Sequence, residues 1–148
     1  MISFIHFMKI KKIFNNSINF IINRFIELIG TIICASGILL MASLITYTPD
    51  DPNFIFPKNT EIKNILGFGG SLISDLFMQS LGFISYLIPF TLFFVGIKII
   101  RSKKIFYSVE SLFYIVVYSL FGSLFFSIFF SVSFFLSING NGGFVGEL

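Results

Sequence analysis

The stretch FIELIGTIICASGILLMASLITYTPDDPNF, residues 25–54, decides the fold of this chain. Its first 23 residues contain one charged side chain, Glu27, and an acidic turn between two prolines follows at once. A run of about 20 apolar residues is long enough to cross a bilayer as a helix. Because proline cannot continue a helix and carboxylates favour water, the turn predicts where this helix leaves the membrane.

The composition of the whole chain supports a membrane protein. Hydrophobic residues make up 55% of the 148 residues, 23 of them are phenylalanine, and the mean hydropathy is +0.94. One soluble core of this length cannot hide that much apolar surface from water. We therefore predict an all-α, polytopic helical membrane protein, because lipid cannot satisfy free backbone groups and no barrel-like alternation is present. Its membrane domain, 25–148, has about three transmembrane helices, over residues 25–47, 76–100 and 111–138.

The positions of the basic residues predict the orientation. They lie before the first span and between the second and third spans, at Lys9, Lys11, Lys12, Arg24, Lys98, Arg101, Lys103 and Lys104. Such residues accumulate on the cytoplasmic side. The N-terminus and the loop 101–110 are therefore predicted to be cytoplasmic, and the loop 48–75 and tail 139–148 to lie outside. Residues 1–24 are predicted to form a basic amphipathic helix on the cytoplasmic leaflet, the alternative being a disordered basic tail.

The acidic residues of the spans are predicted to act as anchors. Glu27, Asp75 and Glu110 are assigned to the first turns of the three spans, near the positive ends of the helix dipoles. Lys98 and Arg101 lie at the opposite end of the second span, where long side chains reach the headgroups. This placement favours anchoring over a proton relay.

Small residues form stripes along the spans that favour close helix packing. Pro89 is also predicted to kink the second span, because it removes a backbone donor. For the serines the alternative is a hydrogen bond back to their own helix. The predicted packing residues are Gly82, Pro89, Gly96, Ser119, Ser123, Ser127 and Ser131.

The residues that carry common enzyme chemistry are scarce. The chain has no GxxxxGK[ST] nucleotide loop and no GxSxG motif, and it contains one histidine and one cysteine. These residues do not assemble a catalytic triad or a metal site. We predict no enzymatic activity, no cofactor and no direct nucleic-acid binding by this chain, and we ascribe its net charge of +3 to topology.

The order of short motifs along residues 27–148 resembles the N-terminal membrane domain of FtsK-type DNA translocases. The series comprises a span entered by Glu and ended by Tyr, a Pro-x-Asp-Pro turn, an Asn-x-x-Gly loop, an Asp-Leu-Phe, and a closing glycine turn. Thr46 and Asn53 depart from the pattern, which has Ser and a small residue there. The matching positions are Glu27, Gly30, Ala42, Tyr47, Pro49, Asp51, Pro52, Phe54, Asn64, Gly67, Gly70, Asp75, Leu76, Phe77, Gly82, Tyr86, Pro89, Gly142, Gly143 and Gly146.

The resemblance implies a septal anchor in the bacterial inner membrane, part of a hexameric, ATP-driven DNA translocase of cell division and chromosome segregation. Its implied partners are division-septum membrane proteins, further copies of itself and membrane lipids. The motor and the fourth span of that family lie beyond the sequence, so Leu148 is expected to be a truncation point. The alternative is a small helical subunit of a transporter or channel complex.

The outer loop is the candidate interaction motif under this resemblance. A helix stop is the alternative role for its proline-rich turn. The candidate residues are Tyr47, Pro49, Asp51, Pro52, Phe54, Asn64, Gly67, Gly70 and Asp75.

Overall fold

A computed structural model describes residues 2–53, 61–130 and 140–148, with side chains described from residue 14 onward. Within these ranges the chain is helical and contains no strand. Three stretches, Phe14–Ile45, Gly67–Ser102 and Phe106–Phe129, are long and apolar enough to cross a membrane. The predicted all-α, multi-pass membrane fold is confirmed. The elements are α1 (Ile2–Ile45), α2 (Gly67–Leu81), a 3₁₀ segment (Gly82–Tyr86), α3 (Leu87–Ser102), α4 (Phe106–Phe129) and α5 (Gly143–Glu147).

Helix α1 is continuous over its 44 residues, including residue 24, where the sequence suggested a change from a basic segment to the first span. No proline or glycine precedes Gly30 within it, so nothing in the sequence interrupts the helix. At 1.5 Å per residue it is about 66 Å long, roughly twice the hydrocarbon thickness of a bilayer. Its N-terminal part projects beyond α3, and the position of residues 1–24 on a leaflet stays a prediction.

Helices α1 and α3 pack antiparallel through a seam of small residues. A Cβ atom added at Gly96 would lie 2.6 Å from the carbonyl oxygen of Gly30 and 2.7 Å from the backbone nitrogen of Cys34. One added at Gly37 would lie 2.9 Å from the carbonyl oxygen of Pro89. The two backbones are therefore in direct contact, which is a common way for helices to associate where lipid removes the hydrophobic driving force.

The second span is interrupted at Gly82 rather than at Pro89. Gly82 has a φ of 69°, and the chain continues as the 3₁₀ segment before α3 begins at Leu87. The predicted kink at Pro89 is wrong, because Pro89 lies in the first turn of α3, where a missing N–H costs no helical hydrogen bond. The 3₁₀ segment and α3 together extend about 34 Å, enough to cross the hydrocarbon core.

Helix α2 is additional to that crossing, and it begins at Gly67, inside the loop that the sequence placed at 48–75. It packs on the last turns of α1. Buried Met78 of α2 lies in one apolar cluster with buried Leu44, and Tyr86 of the 3₁₀ segment packs against the same cluster. The Tyr86 hydroxyl donates to the carbonyl of Leu44 at 3.0 Å. This end of the bundle, which holds residues 43–53, 61–82 and 140–148, is called the loop end below, and the end with Lys103–Ile105 the turn end.

The C-terminal glycine turn is packed into the loop end. The N–H of Phe83 donates to the carbonyl of Asn141 at 3.0 Å. A Cβ added at Gly143 would lie 2.6 Å from the backbone nitrogen of Gly82. The tail predicted at 139–148 is therefore, over its described residues 140–148, a structural part of the bundle.

The serines predicted to pack along α4 show both of the roles considered from the sequence. Some pack against a neighbouring segment, and one bonds back to its own helix. Ser123 is buried, its hydroxyl donates to the carbonyl of Leu81 at 3.0 Å, and Gly146 packs against its backbone. Ser127 contacts Gly142, whereas the hydroxyl of Ser119 bonds back to Ile115 of its own helix at 2.6 Å. Ser131 lies outside the described residues.

The seam predicts that Gly96→Ala destabilises the protein. The new methyl group would overlap the backbone of α1, and overpacking of this kind costs about 1–3 kcal/mol. The measurement is thermal unfolding in detergent. Gly69→Ala is the matched control, because a Cβ at Gly69 meets nothing within 4 Å. Equal melting temperatures for the two variants would contradict direct backbone contact between α1 and α3.

The Gly82 bend supports a second comparison. Gly82 and Gly67 both have positive φ, 69° and 66°, but a Cβ at Gly67 enters open space whereas one at Gly82 overlaps Asn141. Gly67→Ala should cost only the backbone strain of about 1–2 kcal/mol. Gly82→Ala should cost more and expose the C-terminal turn to limited proteolysis. If both variants are equally stable and equally resistant, the packing of the turn against Gly82 is not stabilising.

Candidate functional site at the loop end

The acidic turn after α1 places its two carboxylates in different environments. Asp50 is exposed, whereas Asp51 is only 5% exposed. The Asp51 carboxylate accepts hydrogen bonds from the backbone N–H groups of Lys63 and Asn64, both at 2.9 Å. Hydrogen bonds to a carboxylate are stronger than neutral ones. Asp51 therefore joins the start of the loop to its end.

Asn64 continues this network toward α1. Its amide nitrogen donates to the carbonyl of Ser43 at 2.8 Å and to the hydroxyl of Ser74 at 3.3 Å, while its amide oxygen accepts from the N–H of Leu66 at 3.1 Å. The last carbonyls of a helix lack partners within the helix. Asn64 supplies one of these partners to α1 while it orders the start of α2.

Further serines connect the loop to α2. The Ser43 hydroxyl donates to the carbonyl of Gly70 at 2.7 Å, and the Ser71 hydroxyl donates to the carbonyl of Pro52 at 2.8 Å. Gly70 is small because a Cβ there would overlap the Asn64 side chain. We call the buried group Ser43, Asp51, Asn64, Gly70 and Ser71 the polar clasp, since it holds α1, the loop and α2 together.

A second polar group lies beside the clasp. The Tyr47 hydroxyl donates to the Asp75 carboxylate at 3.2 Å, and the Gln79 amide donates to the Tyr47 hydroxyl at 3.3 Å. Burial, together with the neighbouring Asp75 charge, raises the pKa of the Tyr47 hydroxyl. The assignment of Asp75 to a first helical turn is wrong, because α2 begins at Gly67 and Asp75 lies in its interior.

The structure thus brings together six of the residues selected from the sequence. They are Tyr47, Asp51, Pro52, Asn64, Gly70 and Asp75. Gly67 begins α2, Pro49 is exposed, and Phe54 lies outside the described residues. Ser43 and Ser71 also belong to the clasp, although the sequence motifs do not identify them. Ser43 carried a signal, since it is one of the few polar residues of the first apolar run.

Three exposed apolar side chains lie beside the clasp. Ile62, Ile65 and Phe68 have exposed fractions of 40%, 71% and 51%. They lie between the acidic turn and the first turn of α2, next to the buried motif residues. Among the described residues, these side chains are therefore available to a partner where the clasp residues are not.

The turn end carries an ion-pair cluster. The Glu27 carboxylate pairs with Lys103, and with Arg24 at 2.5 Å. Glu27 lies deep within continuous α1, so its assignment to a first helical turn is wrong, and its partners are side chains. Glu110 is the fifth residue of α4, so its assignment to a first turn is also wrong, and it faces Lys98 at 4.0 Å. In the part of the chain that the structure describes, no three His, Cys, Asp or Glu residues are grouped as metal ligands would be.

The chain is a bundle of apolar helices held by a polar clasp at one end and by ion pairs at the other. This architecture places it in the class of multi-pass membrane domains. Residues 23–148 match the family described as the 4TM region of DNA translocase FtsK/SpoIIIE. The chain belongs to this family, and the resemblance seen in its motif series is confirmed.

Two similar proteins are named DNA translocase FtsK. The chain is 33% identical over 67 residues to DNA translocase FtsK of Rhizobium meliloti (strain 1021), covering 45% of this chain and 8% of the relative. It is 28% identical over 108 residues to DNA translocase FtsK of Azospirillum brasilense, covering 69% of this chain and 17% of the relative. The matches thus span less than a fifth of either translocase. No solved structure matches the chain.

The polar clasp predicts different effects for substitutions at Asp51, which belongs to it, and at the neighbouring Asp50, which does not. Asp51→Asn replaces one carboxylate oxygen by a donor, which leaves a buried N–H of Lys63 or Asn64 unpaired at a cost of about 1–3 kcal/mol. We expect a lower melting temperature and faster cleavage within the loop by added protease. Asp50→Asn removes the same charge at an exposed site and should behave as wild type. A stable, protease-resistant Asp51→Asn would show that the clasp does not hold the loop.

Proposed function

We propose that this chain is the membrane anchor and septal recruitment module of a cell-division and chromosome-segregation DNA translocase. The match of residues 23–148 to the membrane region of that family carries the proposal. In this role the chain itself is not catalytic, and DNA translocation belongs to a motor that the matched region does not include. Self-association of the anchor, up to a hexamer, and contacts with other septal membrane proteins are part of the same proposal.

The proposed orientation places the turn end in the cytoplasm of a bacterium and the loop end outside its inner membrane. The basic residues support it, because Lys98, Arg101, Lys103 and Lys104 lie at the turn end, and positive charge accumulates on the cytoplasmic side. The antiparallel packing of α1 and α3 puts the N-terminus of α1 at that same end.

The recruitment surface in this proposal is the exposed apolar part of the loop end, Ile62, Ile65 and Phe68. The burial of the clasp supports this choice, since Asp51 and Asn64 form their hydrogen bonds with other groups of the same chain. The motif residues then act by shaping the loop, and their exposed neighbours touch the partner. Exposed apolar patches on a polar rim are typical of protein contact sites.

The test is the distribution of a fluorescent fusion at the N-terminus of the chain in dividing cells of the encoding bacterium. We expect enrichment at the septum for wild type. The double variant Ile65→Ser, Phe68→Ser should reduce that enrichment by about threefold or more, because truncating central apolar contacts dominates binding losses. Membrane insertion, measured by carbonate extraction, should be unchanged.

The matched control carries the same kind of change near the turn end, Val109→Ser and Phe113→Ser, where both side chains are also exposed. It should keep wild-type enrichment. Uniform envelope distribution of the wild-type fusion would contradict septal recruitment and make the transporter-subunit alternative the one to test. Equal loss in both double variants would contradict the assignment of the surface to the loop end.

A further inference from the structure

The turn end carries more positive charge than its carboxylates neutralise. Glu27 pairs with Arg24 and Lys103, and Glu110 faces Lys98. Arg101 and Lys104 are exposed, and neither forms an ion pair with any residue that the structure describes. Cations held beside an apolar surface attract an anion more strongly than cations in bulk water.

The geometry of the turn keeps these cations together. Lys103 ends α3 in the left-handed region, with a φ of 58°, and its N–H donates to the carbonyl of Ile99 at 2.9 Å. A non-glycine residue rarely adopts this conformation. The ion pair with Glu27 fastens the Lys103 side chain to α1, and the same carboxylate holds Arg24. Arg24, on α1, is thereby joined to the turn that bears Arg101 and Lys104.

Exposed apolar side chains surround this group. Phe25 and Leu28 of α1 flank Arg24 and Glu27, while Ile105 and Phe106 follow Lys104 directly, and all four are exposed. A ligand that neutralises the cations and also covers these side chains must be an amphiphilic anion. An anionic phospholipid has this combination of a phosphate headgroup and acyl chains, and basic groups between transmembrane helices bind such lipids.

We propose that Arg24, Arg101 and Lys104 form a binding site for the phosphate headgroup of an anionic phospholipid, with its acyl chains against Phe25 and Phe106. The inference goes beyond the proposed function. Only the assignment of the site to the cytoplasmic leaflet depends on the orientation proposed above, and the experiment below does not use that orientation.

The experiment is native mass spectrometry of the full chain, purified in a mild detergent and equilibrated with equal amounts of phosphatidylglycerol and phosphatidylcholine. Wild type should retain phosphatidylglycerol in preference to phosphatidylcholine. A cation near a membrane surface contributes about fivefold to anionic lipid binding, so Lys104→Gln and Arg101→Gln should each reduce the preference by about that factor. Lys104→Arg keeps the charge and should keep the preference.

The control is Lys63→Gln, which removes the same charge from an exposed lysine at the loop end and should leave the preference unchanged. Circular dichroism of each variant establishes that the helices are intact. Equal retention of both lipids by wild type would overturn the proposal, as would an equal loss in Lys63→Gln and Lys104→Gln. Displacement of the lipid by millimolar glycerol phosphate would also overturn it, because the site would then recognise a soluble phosphate ester.

Discussion

The close contact of α1 and α3 at Gly30, Gly37 and Gly96 is the constraint on which the rest of the structure depends. Because neither backbone has a side chain between them there, the two helices have one antiparallel register. That register pairs Glu27 with Lys103 at the turn end and brings Tyr86 to the carbonyl of Leu44 at the loop end. The Glu27–Lys103 ion pair and the contact of Tyr86 with α1 therefore both depend on a seam that is itself apolar.

Polar side chains have different roles at the two ends of the bundle. At the loop end a helix stops, and its free carbonyls, together with the loop backbone, need partners away from water. Asn64 and Asp51 provide them, with Ser43 and Ser71 completing the connection to α2. At the turn end Glu27 organises an excess of cations. The polar clasp fixes the conformation of the loop, and the ion-pair cluster at the turn end leaves that end with net positive charge.

This division changes how the family's motif residues are understood here. Tyr47, Asp51, Asn64 and Asp75 are bonded to one another or to the backbone, so their chemistry is used within the chain. In the proposed recruitment role, the contact with a partner would belong to exposed neighbours that carry no motif signal. The glycine turn has a similar internal use, since Gly143 packs against Gly82 and so holds α5 at the bend in the second span.

The sequence by itself determined the class of the fold, the presence of three long apolar helical stretches and the turn after α1, because apolar length and proline act locally. It also selected Asp51, Asn64 and Gly82, although without their partners. Only the tertiary structure decided that Gly82 rather than Pro89 interrupts the second span, and that Glu27 pairs with Lys103. The physical reason is register: several small residues lie along each span, and side chains distant in sequence meet only after one seam among them has been chosen.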